Sequence, residues 1–222
     1  MKISQSLKCS ELKKADVFDS DGKEVGNIDD LTFVFEAGEL RLSQFILGGP
    51  VLEEFLEALK LRPDRDPVFD ASMIEKIDED VHLNTTLDKM KTTLDDCAIS
   101  DEEIRLSKLT KMDIMDAHGK KVGNALDVHF DADGSVSIIV GEGFIEEKLE
   151  ALGLKEDVDI IVPGDVIESL DKMMNLKVSK DALGTTMEEV LEQRKPEIIA
   201  AREARDVSRS VTKVTLFTQR PI

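Results

Sequence analysis

The chain has 222 residues, with 47 Asp or Glu against 29 Lys or Arg and a formal charge of −18. That balance argues against nucleic acid as a direct partner, because phosphate binding needs clustered Lys and Arg. No apolar run is long enough to span a bilayer, and the start, MKISQSLKCSELKK, lacks the apolar core of a signal peptide, so a soluble, cytoplasmic protein is expected.

Hydrophobic residues make up 41% of the chain but aromatics only 4%, with no Trp or Tyr, so cores must be built from Leu, Ile, Val, Met and Phe. Lys supplies 20 of the 29 basic residues, which argues against extreme halophilic adaptation.

From the N-terminus, Lys13–Phe18 is a predicted strand, and Asp19-Ser20-Asp21-Gly22 a turn in which Gly takes positive φ. Residues Val25–Phe35 form a longer strand, with Leu31, Phe33 and Phe35 alternating toward one face. Ala37-Gly38 turns the chain into Leu40–Leu47, which Gly48-Gly49-Pro50 ends. Segment 51–61 places Val51, Leu52, Phe55, Leu56 and Leu59 at helical spacing with acids opposite. Short strands are expected near Val68–Ala71 and Val81–Asn84, separated by SMIEKIDED.

The second half repeats the plan. Strands are expected near Leu109–Met115, Val122–Asp131, Ser135–Val140, Asp159–Pro163 and Met174–Val178, with a helix over 144–152; Asp133-Gly134 signals a tight hairpin. Thr93-Leu94-Asp95-Asp96 and Thr186-Met187-Glu188-Glu189 each fit a capping box, the first opening a short linker and the second a helical arm interrupted at Pro196. Beyond Pro196, Ala200, Ala204, Val207 and Val211 share one face and Arg202, Arg205 and Arg209 the other. The chain closes on VTKVTLF, a β-prone run without a counterpart in the first half.

This parallel is a duplication. SELKKADVFDSDGKEVGNIDDLTFVF (10–35) returns as SKLTKMDIMDAHGKKVGNALDVHFDA (107–132), with 12 of 26 positions identical. LEEFLEALKL (52–61) matches IEEKLEALGL (145–154), and Thr92-Thr93 matches Thr185-Thr186, now with an offset of 93 rather than 97. A period of this length means two copies of one domain rather than a solenoid. Domains are therefore expected over 8–98 and 104–184, followed by an arm and terminal strand over 185–222. Five or six short strands per copy favour a small closed or nearly closed barrel, which solves the problem of exposed edges.

The strand, the DxDGKxVG turn, the longer Asp-rich strand, the Gly-rich turn and the late apolar strand together resemble the PRC-barrel family, named after the photosynthetic reaction centre H subunit. The resemblance is carried by Asp19, Asp21, Gly22, Lys23, Val25, Gly26 and Asp30, and again by Asp116, Gly119, Lys120, Val122, Gly123 and Asp127. Both copies depart from it by inserting an acidic helix, EEFLEAL or EEKLEAL. The resemblance implies a mainly β fold of two tandem PRC-type barrels, used as interaction modules without catalytic residues. Relatives include a domain of the ribosome maturation factor RimM and archaeal proteins linked to FtsZ–SepF division.

Other chemistry finds little support. Asp19-Ser20-Asp21-Gly22 and Asp131-Ala132-Asp133-Gly134 lack EF-hand spacing and are turns. Gly48-Gly49 and Gly141-Glu142-Gly143 are followed by no Lys-Ser/Thr and by acidic helices that repel phosphate. Glu53-Glu54 and Glu146-Glu147 suit helix starts through the macrodipole. Cys9 and Cys97 are not repeat equivalents, nor are His82, His118 and His129, so no disulfide, metal set, cofactor or catalytic group is expected.

Residues 190–222 hold seven basic and four acidic side chains, a net of +3 that leaves −21 on the preceding residues. A basic tail suits an acidic surface, its own or a partner's. Candidate partner-binding residues are Arg202, Arg205, Arg209, Val214, Leu216 and Phe217, with the last strand pairing either in this chain or with another. The expected function is a non-enzymatic protein–protein adaptor, on the resemblance in archaeal division with FtsZ, SepF or other PRC-barrel proteins as partners, as a homo- or hetero-oligomer. Alternatives are a RimM-like ribosome-assembly factor binding a ribosomal protein, and a small-ligand binder using an inter-barrel groove.

Overall fold

The computed structural model describes residues 6–49, 66–93, 95–96, 98–131, 135–154, 158–203 and 211–217. The chain is mainly β, with two curled eight-stranded sheets and a C-terminal helix. It divides into two compact units. The first holds Met1–Leu109 and Val128–Val136; the second holds Thr110–Asp127 and Ser137–Ile222.

In the first unit the described chain opens with β1 (Leu7–Lys8) and one helical turn, α1 (Cys9–Leu12), whose start is held by Lys8 N–H donating to Glu11 Oε2 at 2.8 Å. The strand expected from Lys13 therefore begins later, as β2 (Asp16–Phe18). The long hairpin β3 (Glu24–Glu36) and β4 (Glu39–Gly48) follows, turning at Ala37 and Gly38, both at positive φ. Predicted helix 51–61 lies outside the described residues. The chain resumes as β5 (Pro67–Asp70), a 3-10 turn over Ala71–Met73, β6 (Ile74–Ile77), β7 (Val81–Leu83), β8 (Lys91–Thr92), β9 (Ile104–Arg105) and a second helical turn, α2 (Leu106–Leu109). Sheet order is β6-β7-β2-β3-β4-β5-β8, with β9 added to β3. Its core is aliphatic and phenylalanine-rich: Leu31, Phe33, Phe45, Leu47 and Val81 are fully buried, and Phe45 stacks on Phe69 at 4.9 Å.

The second unit repeats the frame with β10 (Asp113–Met115), β11 (Lys121–Phe130), β12 (Val136–Gly141), α3 (Gly143–Ala151), β13 (Val158–Pro163), β14 (Ile167–Leu170) and β15 (Met174–Leu176). Strand β11 passes into the first unit at Val128, and β12 leaves it after Val136. The strand order β14-β15-β10-β11-β12-β13 matches the first sheet, and β16 (Thr212–Thr215) takes the seventh place.

Two expectations about the arm are corrected. Helix α4 runs unbroken over Lys180–Glu203, so it starts before the predicted Thr186 cap and Pro196 does not interrupt it. Thr186 sits in its interior and donates Oγ1–H to the Ala182 carbonyl at 3.0 Å. Leu183, Met187, Leu191 and Ile198 are fully buried, so the arm supplies core to the second unit. The Thr93 linker helix is also absent from the described residues; Thr92 and Asp95 close a turn instead, with Thr92 N–H donating to Asp95 Oδ2 at 2.7 Å.

Candidate functional site

Each copy is organised by one buried aspartate at the start of the DxxGK turn. Asp19 Oδ1 accepts from the amides of Asp21 (2.9 Å) and Lys23 (3.0 Å), and Gly22 takes φ +76° as the turn closes. Asp116 Oδ1 accepts from His118 (2.9 Å) and Lys120 (2.8 Å), while its Oδ2 accepts from the Lys180 amide at 2.8 Å, at the start of α4. These amides, that of Lys180 foremost, hold the Asp116 carboxyl below its ordinary value against the opposing effect of burial. Both carboxylates are thus spent on backbone donors.

The Val-Gly pair that follows has an equally local cause. Ladder β2–β3 pairs Val17 with Gly26 but Phe18 with Glu24, and β10–β11 pairs Ile114 with Gly123 but Met115 with Lys121. One extra residue, Val25 or Val122, forms a bulge that bends the long strand and turns a buried valine inward. Gly123 is obligatory there, because a Cβ would lie 2.3 Å from the Gly141 carbonyl oxygen.

The far ends of the long strands carry a second paired construction, all of it within the first unit. Segment β9–α2 leads into the second repeat yet pairs with β3, placing Ile104 opposite Phe33 and Arg105 opposite Thr32. Segment β1–α1 leads into the first repeat yet pairs with β11, placing Leu7 opposite Phe130 and Lys8 opposite His129. At the first site Asp30, only 4% exposed, accepts from Ser107 Oγ at 2.7 Å and from its amide at 3.3 Å. Thr32 donates its hydroxyl to Glu103, and Leu106 and Leu109 are buried beneath. At the second site His129 lies 3.3 Å from Asp131, and Cys9 and Leu12 are buried. Sequence patterning missed both segments as docking elements; the signal available was the repetition of SLKCSEL (6–12) as EIRLSKL (103–109).

The tail residues fall into three situations. Val214 and Leu216 are fully buried in the second unit, where β16 runs parallel to β13 with Val214 opposite Ile160, and Leu216 N–H donates to Ile161 O at 2.9 Å. Phe217 is half-buried at φ +57°. Arg202 is exposed and donates Nη2–H to the Gly153 carbonyl at 2.7 Å, while Arg205 and Arg209 lie outside the described residues. Arg194, which sequence reasoning passed over, ties helix to strand by donating Nη1–H to Lys213 O at 2.9 Å. Its other donors meet Glu197, and that hydrogen-bonded pair raises the guanidinium's pKa and lowers the carboxyl's.

Among the described residues no three His, Cys, Asp or Glu side chains converge as metal ligands, and no helix there is long and apolar enough to cross a membrane. No protein-family model matches the chain, and no curated protein matches it.

Proposed function

We propose that the chain is a non-enzymatic protein–protein adaptor built on two tandem PRC-type barrels. The observation that carries this reading is the duplication of one frame, with its bulge and its aspartate-held turn, in both repeats. Of the polar residues that the duplication preserves, Asp19, Asp116 and Asp30 accept backbone amides and hold the chain in place. Two similar modules on one chain gain through effective concentration, so each contact can be weak while the whole remains selective. The charge of −18 suits a basic partner surface and steers association with it. On the PRC-barrel resemblance, the process is archaeal division with FtsZ, SepF or other PRC-barrel proteins, in the cytoplasm.

The test is affinity purification of the tagged full chain from its own host with mild cross-linking and mass spectrometry. Enrichment of division proteins or PRC-barrel proteins is expected. Enrichment of small-subunit ribosomal proteins instead would replace the division reading with ribosome assembly, and recovery of no protein partner would overturn the adaptor reading.

A further inference from the structure

The two docking segments at the long-strand ends repeat each other in register as well as in sequence. Leu7 and Ile104 are repeat equivalents, as are Phe130 and Phe33, and the pair Leu7–Phe130 is matched by Ile104–Phe33. The next rung, Lys8–His129, is matched in the same way by Arg105–Thr32. Between the two sites, Phe33 and Phe130 stack on one another, with ring centroids 6.2 Å apart and planes at 22°. Equivalent residues that touch each other, flanked by contacts in which i meets j and j meets i, form an isologous interface, the form a homodimer takes. Here it is assembled from the two repeats of one chain, inside the first unit.

The recognition is also local. Each segment adds a two-residue strand to the end of a long strand, a small case of β-augmentation. It then makes one helical turn, and at the first site the Ser of that turn, Ser107, is bonded to Asp30 of the long strand. Both segments read Leu/Ile, Lys/Arg, one residue, Ser, one residue, Leu. Each passes over the repeat it leads into and docks on the other, so covalent neighbourhood does not dictate the pairing.

We propose that the long-strand ends are homotypic docking sites that also accept the strand-and-turn segment of a second copy of this chain, in the register observed within one chain. Docking in cis competes with docking in trans at an effective concentration in the millimolar range. About a tenth of docking events are then intermolecular at about 0.1 mM protein, and about half at about 1 mM. The inference is independent of the adaptor reading, since it concerns copies of this chain alone.

The test mixes two full-length variants, Thr32→Cys and Arg105→Cys, carrying tags of different mass, co-refolded and oxidised at a series of concentrations. Facing residues of an antiparallel pair stand about 4.5–5.5 Å apart at Cα, which a disulfide spans. The expected result is a mixed covalent dimer whose yield rises with concentration, above the background that each variant alone gives through Cys9 and Cys97. The doubly substituted chain, closing its own disulfide, shows that the geometry permits the bond. No mixed dimer at about 1 mM alongside that closure would overturn the proposal.

A second measurement needs no substitution, in case Thr32→Cys fails to fold. Isotope-filtered nuclear Overhauser spectra of co-refolded labelled and unlabelled wild-type chains should show Ile104–Phe33 contacts between molecules, and their absence at about 1 mM would equally overturn the proposal.

Discussion

Replacing Leu216 by alanine probes whether the terminal strand is structural to the second unit. Leu216, just past the end of β16, is fully buried with its amide bonded to Ile161, and Val214 within the strand is fully buried opposite Ile160. Truncating a buried leucine costs about 2–5 kcal/mol, the lost transfer energy plus the cavity left behind. In a unit of roughly a hundred residues, each kcal/mol lowers Tm by about 4–8 °C, so the transition of this unit should fall by roughly 8–40 °C. Differential scanning calorimetry reads that shift directly, with Phe217→Ala, at a half-buried position, as the mild control.

A harsher variant, Val214→Asp with Leu216→Asp, should release the strand altogether. The outer edge of β13, where Ile160, Ile161 and Val162 are buried, would then stand open and template association with other chains. Light scattering after gel filtration should show oligomers. An unshifted Leu216→Ala transition together with a monomeric aspartate variant would refute the reasoning, because the strand would then cover nothing in solution.

Three further outcomes are expected. Gly123→Ala should unfold the second unit or cost several times more than Gly119→Ala, because its Cβ meets a backbone oxygen at 2.3 Å whereas Gly119, at φ +74°, has open space and only about 1–2 kcal/mol of left-handed strain; urea titration of both ranks them. Asp116 should titrate below its ordinary value near 3.8 in carboxyl-detected NMR. Because its folded pKa is depressed, its contribution to stability is complete above that value and disappears as pH falls through the folded pKa, so Asp116→Asn should lower Tm at pH 7 and lessen the further loss on acidification. Pro196→Ala should raise stability by about 1–3 kcal/mol, because the exposed proline lies inside α4 and withholds an amide from the helix; a lower Tm would show that the ring is needed where it stands.

The duplication, the long hairpin strands and the aspartate turn were legible because each leaves a local pattern: a repeat, a period of two, a DxxGK motif. Strands Ile74–Ile77 and Ile167–Leu170 were not. Each carries a register shift against its neighbour, so burial in IEKI falls on the first and last residues and alternation is lost. The start of α4 was hidden for another reason. Its first amide is met by Asp116, 64 residues earlier, and no local window contains that partner. The tail residues were singled out by charge and β propensity, which do not indicate whether the strand they form pairs at home or abroad. At the long-strand ends, the repeated SLKCSEL and EIRLSKL were visible, but which strand each would choose depended on tertiary register.

The two repeats diverge at one slot, and the divergence has an identifiable cause. Segment MKTTLDD (90–96) aligns with LGTTMEE (183–189), yet Lys91–Thr92 form an edge strand on β5 while Gly184 and Thr185 lie inside α4. A Cβ at Gly184 would come within 2.8 Å of the Phe144 ring, so glycine is what lets α4 lie closely against α3. Lysine, which occupies the equivalent place in the first repeat, would hold the helices apart. Once the second repeat's segment becomes helical, it no longer covers the outer edge of β13, and that edge is almost continuously buried. In the first repeat the equivalent of Ile160 is Pro67, which has no amide to leave unpaired, so two residues of β8 suffice there. The second repeat has no such proline until Pro163 and needs a longer cover, which the chain supplies from its own C-terminus as β16. The tail therefore follows from a glycine and a missing proline: a helix gained in one place exposed an edge in another, and the terminal strand closed it.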